Sequence, residues 1–110
     1  MMHAVVIHPE GDAFIVGHPD DESQQYDNAR AALKCRLIER VRIDLDGSRL
    51  DIWVDEEGLW NQLLYNVSAS RLAFGDSLDA ILVGTAYVTG PDLEPLTLEQ
   101  AEAVMRRIGD

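Results

Sequence analysis

Asp46 and Gly47 stand between two runs in which apolar and polar residues alternate, Ile38 to Leu45 and Ser48 to Asp55. An Asp-Gly link of this kind favours a two-residue hairpin turn, because both central positions of that turn need positive φ. With the turn placed there, Ile43 pairs with Leu50 and Val41 with Ile52 on one face. The other face then sets Asp44 across from Arg49 and Arg42 across from Asp51, opposite charges in direct cross-strand positions. One register serves both faces, so the segment predicts an antiparallel hairpin around which the rest must pack. The Asp44-x-Asp46-Gly47 string is not a calcium loop, since the glycine falls two positions early and the terminal glutamate is missing.

Elsewhere the pattern is local. His3 to His8 and Ala13 to Gly17 are apolar runs joined by Pro9-Glu10-Gly11-Asp12, which predicts a second hairpin. Asp21 with Gln24 three residues on marks a helix start, and Tyr26, Ala29, Leu33 and Leu37 recur at helical intervals, predicting a helix over Glu22 to Cys35. Leu59 to Phe74 has no clean period and reads as loop with one or two short helical turns. Ile81 to Thr89 is apolar on both sides and predicts a central strand, with Gly84 allowing close approach of another element. Pro91 and Pro95 frame a linker. Thr97 and Gln100 form a capping box for a last helix with Leu98, Ala101, Met105 and Ile108 on one face and a Glu102–Arg106 pair on its surface. The expected fold is α+β, one domain over residues 1–110, with a mostly antiparallel sheet of about five strands and two helices.

Composition sets the limits on function. The 110 residues are 46% hydrophobic and 26% charged, ordinary values for a globular chain. No apolar run reaches the ~18 residues of a membrane span, and the Met1-Met2-His3 start lacks the basic region of a secretory signal. A cytoplasmic location and no membrane partner are the expectation. Cys35 is the only cysteine, so neither an internal disulfide nor a thiolate metal cage can form. The net charge of −11 opposes phosphate backbones, so no direct nucleic-acid binding is expected.

The residues that could carry chemistry are few. His3, His8 and His18 with Asp20 and Asp21 are metal-ligand types, but none has metalloenzyme spacing, and an acidic helix start complements the macrodipole without any metal. Cys35 has no base beside it on its helix and reads as a small core side chain. Asn66-Val67-Ser68 matches a glycosylation sequon only by chance in a chain without a secretory signal. Glu39 falls on the apolar face of the hairpin, opposite Val54, which brings it near the irregular segment carrying Glu56, Glu57 and Asn66. These four are the candidate binding residues; no catalytic residue, metal ligand or cofactor is assigned. Asn66 has a second reading, as the buried cap of a short helix starting at Val67 that accepts from the amide of Ser68 or Ala69.

Ile38-Glu39, Val54-Asp55-Glu56-Glu57-Gly58, Asn66-x-x-Ala69-Ser70, Ile81-Leu82-Val83-Gly84 and Leu96-Thr97 follow one another in an order that resembles the domain of unknown function numbered 3846, from about Ala32 onward. The resemblance implies no activity, catalytic residue or cofactor; it implies a phage or mobile-element setting, in which a short acidic protein acts by binding a host component. Three readings of function stay open. The first is an interaction module that binds a protein partner through its acidic surface. The second is a small-molecule or nucleotide binder, or a modest enzyme, using Glu39, Glu56 and Asn66. The third is a subunit of a homo-oligomer, favoured if Trp53 and Trp60 are exposed together.

Overall fold

The computed structural model describes residues 2–77 and 80–109. Among them five strands form one sheet: β1 (His3–Ile7), β2 (Ala13–Gly17), β3 (Ile38–Leu45), β4 (Ser48–Asp55) and β5 (Ala86–Thr89). The spatial order is β2-β1-β5-β4-β3 and every pairing is antiparallel. The β3–β4 register matches the one that the alternation requires, with Ile43 opposite Leu50, Asp44 opposite Arg49 and Glu39 opposite Val54. Asp46 and Gly47 both have positive φ, 53° and 86°, as the Asp-Gly turn demands.

Among the described residues three α-helices pack on this sheet, where two were expected: α1 (Glu22–Leu33), α2 (Val67–Phe74) and α3 (Leu98–Gly109). The additional helix is α2. Its buried residues are the small Ala69 and Ser70, while Leu72, Ala73 and Phe74 pack against the core only partly buried, so no clean apolar stripe marks it for a periodicity argument. α1 lies on one face, where Ala29 and Leu33 meet Ala4, Trp53 and Tyr87. α2 and α3 lie on the other, where Ala69, Ala101 and Val104 close over Val5, Ile7, Ile43, Leu50, Ile52 and Val88. Alternation along each strand thus feeds two cores.

Other expectations shift at their ends. α1 stops at Leu33, because Lys34 turns left-handed (φ 54°, ψ 46°), its N–H bonding Ala31 O and the next one, Cys35 N–H, bonding Arg30 O. Tyr26 and Leu37, expected on its apolar face, are exposed. Asp21 caps α1 through Ser23, two residues on, at 3.0 Å from the amide. The apolar run Ile81 to Thr89 is strand only from Ala86, since Gly84 (φ 76°) breaks the extended backbone. The segment framed by Pro91 and Pro95 contains a short 3-10 turn at Pro91–Leu93. α3 has its capping box, Gln100 N to Thr97 Oγ1 at 3.1 Å and Thr97 N to Gln100 Oε1 at 2.9 Å. Among the described residues Glu102 and Arg106 make no ion pair; Arg107 instead reaches Asp46 at 3.2 Å.

Candidate functional site

One end of the sheet gathers five chain segments around a depression of about 530 Å³. The turn after β1 brings His8, Pro9 and Glu10; the end of α1 brings Leu33 and Lys34; β4 ends there with Asp55. The loop after β4 adds Asn61, Leu63 and Leu64, and the approach to β5 adds Gly84 and Thr85. The size falls within the range of small-ligand sites, and the lining combines an apolar wall with converging polar groups.

Lys34 is the only lysine of the chain. It occupies the left-handed position that closes α1, where glycine is the cheap choice and a side chain costs about 1–2 kcal/mol. Lys34 lines the depression, and among the described residues it makes no ion pair. His8 Nδ1 lies 3.4 Å from Thr85 Oγ1. Asp55 is fixed by its neighbours: Oδ1 accepts from Glu57 N at 2.8 Å and Oδ2 from Asn61 Nδ2 at 3.3 Å. The arrangement offers donors and acceptors of both signs beside apolar surface, a recognition chemistry.

The loop from Gly58 to Tyr65 is held firmly by its own backbone. Asn61 N bonds Glu57 O at 2.8 Å, Leu63 N bonds Gly58 O at 3.0 Å, and Gly84 N bonds Leu64 O at 2.7 Å. Leu63 lies so close to Gly84 that a Cβ there would meet Leu63 Cδ1 at 2.6 Å. From this fixed frame Leu59 and Trp60 project into solvent, 74% and 86% exposed, with Leu64 and Tyr65 beside them.

The four residues singled out from sequence are not gathered on this wall. Glu39 is exposed at the start of β3. Glu56 is exposed, and its amide bonds Leu37 O. Glu57 is captured by Arg36 through two hydrogen bonds of 2.9 Å, which hold its carboxyl below the usual carboxylate range. Asn66 is fully buried: Oδ1 accepts from Ala69 N at 3.0 Å, while Nδ2 donates to Ile7 O at 2.9 Å and Gly84 O at 2.8 Å. It caps α2 and supports the depression from beneath through Gly84. Asp55 and Asn61, neighbours of the residues chosen, line the wall instead. Lys34 carried a sequence signal, a lone lysine at a helix end, that residue-type arguments did not use.

A second polar cluster lies under the Pro91–Leu93 turn. His18, read at first among possible metal ligands, is buried there: Nε2 donates to Leu93 O at 2.8 Å, so Nδ1 accepts from the Tyr87 hydroxyl at 2.8 Å, which in turn accepts from Asn28 Nδ2 at 2.7 Å. Burial lowers the His18 pKa and pushes Tyr87 up to about 12. Asp51, also fully buried, accepts from Asp92 N at 2.8 Å. Asp92 and Leu93 are consecutive left-handed residues, φ 54° and 71°, and these contacts hold them so. Among the described residues no group of three or more His, Cys, Asp or Glu side chains is arranged to hold a metal ion. Among the described residues, too, no helix is long and apolar enough to cross a membrane.

In comparisons with known proteins, the family described as Domain of unknown function (DUF3846) matches residues 2–109. No curated protein and no solved structure matches.

Proposed function

This chain belongs to the DUF3846 family, whose description carries no activity, and from its own surface we propose that it is an interaction module binding a protein partner around Trp60. The observation that supports this reading is the exposure of Trp60 and Leu59 on a loop that backbone hydrogen bonds fix on either side of them, at Gly58 and at Asn61 to Leu64. A tryptophan offers some 150–250 Å² for burial, and fixing it in advance lowers the ordering cost of association. The depression beside it, walled by Lys34, His8 and Asp55, would receive a side chain of the partner, in the manner of a central hot-spot pocket. A net charge of −11 favours a basic partner. The homo-oligomer reading asked for Trp53 and Trp60 to be exposed together, whereas Trp53 is buried with Nε1 donating to Thr89 Oγ1 at 2.9 Å.

Tagged wild-type protein and the Trp60→Ala variant, each recovered with bound proteins from the native host, test the reading. The expected result is a partner captured by wild type and lost with Trp60→Ala at an unchanged melting temperature. Equal capture by both would overturn it. The depression also has the size of a small-ligand site. That second reading is favoured if a small molecule protects Lys34 from acetylation while Trp60→Ala leaves the protection intact.

A further inference from the structure

The two edges of the sheet are built differently. β3 exposes Glu39, Arg40, Arg42 and Asp44, and charges of this kind keep a further strand from adding. β2 reads Ala13-Phe14-Ile15-Val16-Gly17, without charge or proline, and Phe14 is 52% exposed. His8 N bonds Asp12 O at 2.8 Å and His18 N bonds Met2 O at 3.2 Å, which makes Asp12 and His18 hydrogen-bonded partners of β1. By the alternation of an antiparallel ladder, Phe14 and Val16 also bond β1, and the N–H and C=O groups of Ala13, Ile15 and Gly17 point outward. Among the described residues nothing pairs with them. Both ends of this edge are acidic: Glu10 and Asp12 before it, Asp20, Asp21 and Glu22 after it, all exposed.

We propose that β2 is a docking edge, separate from the Trp60 loop, for an extended partner segment that is apolar over about five residues, carries Lys or Arg at both ends and adds to the sheet as a sixth strand. Charge selects this occupant over a second copy. Two β2 strands pairing antiparallel about Ile15 would set Glu10 of one copy opposite Asp20 of the other, like charges at both ends of the ladder.

The probe is a capped peptide of alternating Val and Thr with two Lys-Arg ends, followed by amide hydrogen exchange. Addition of the peptide should slow exchange at Ala13, Ile15 and Gly17 by about tenfold or more. Phe14→Lys, which adds a charge at an exposed position, should weaken peptide binding by about tenfold while preserving the melting temperature. Trp60→Ala should leave the protection unchanged. Protection of the same amides without peptide in a protein that sediments as a dimer would overturn the proposal in favour of a second copy. Equal affinity for a Glu-ended peptide would overturn it too, as would loss of the protection with Trp60→Ala.

Discussion

Asn66 engages both ends of its amide inside the protein, capping α2 and tying it to the carbonyls of Ile7 and Gly84. Losing an N-cap costs about 0.5–2 kcal/mol, and a buried carbonyl left unpaired costs about 1–3. Asn66→Ala should therefore lower stability by about 3 kcal/mol and the melting temperature by more than ~10 °C. A thermal melt with an unchanged midpoint would contradict this account. The cap was legible in sequence because it is local: an Asn between apolar neighbours, with Ala69 three residues on. The bonds to Ile7 and Gly84 were not, since they join positions far apart in the chain. For the same reason the register could bring Glu39 near Glu56 but could not tell that Arg36 captures Glu57. His18 carries a second prediction. Its folded pKa lies below the ordinary 6.5 because burial disfavours the imidazolium, so its contribution is fully present above about pH 6.5 and is lost as pH falls below that. In urea titrations the wild-type midpoint should decline more steeply below pH 6.5 than that of His18→Gln, whose glutamine cannot take up the proton. Parallel profiles would remove His18 as the cause.

At the scale of elements, the β3–β4 hairpin was legible in full because its turn chemistry and both of its faces agree. The end of the run Ile81 to Thr89 nearest Gly84 was misread as strand for a physical reason: apolar residues continue through a point where the backbone must turn. The close approach expected at Gly84 is present, and its partner is Leu63. That contact links the strand to the exposed loop. Gly84→Ala would force a side chain into left-handed backbone, costing about 1–2 kcal/mol, and would push Leu63 aside. The expected result is a melting temperature lower by roughly 4–16 °C. Hydrogen exchange should also quicken at Leu63 and Gly84, and capture of the partner proposed for Trp60 should weaken. Wild-type exchange rates in the variant would show that the loop does not depend on Gly84 for its conformation.

For the whole molecule, charge is the dominant long-range property, and the question is whether its pairs or its excess decides stability. The ion pairs are mostly surface contacts, such as Arg36–Glu57, Arg107–Asp46 and Arg30–Asp27, of a kind worth about 0–1 kcal/mol each. Against them stands a net charge of −11 on a body about 34 × 30 × 21 Å. At ~0.01 M salt the screening length is about 30 Å, as long as the molecule, so every carboxylate repels every other; at ~0.1 M it falls to about 10 Å. Adding salt over that interval removes the repulsion between distant carboxylates but only weakens pairs in contact, such as Arg36–Glu57 at 2.9 Å. The excess should win, and the melting temperature at pH 8, where His18 is neutral, should rise by several degrees as sodium chloride goes from ~0.01 to ~0.1 M, a gain on the order of 1 kcal/mol. An equal osmolarity of an uncharged solute should not reproduce the rise. A melting temperature that falls with salt would mean that the paired arginines, and not the unpaired carboxylates, set the electrostatic stability of this fold.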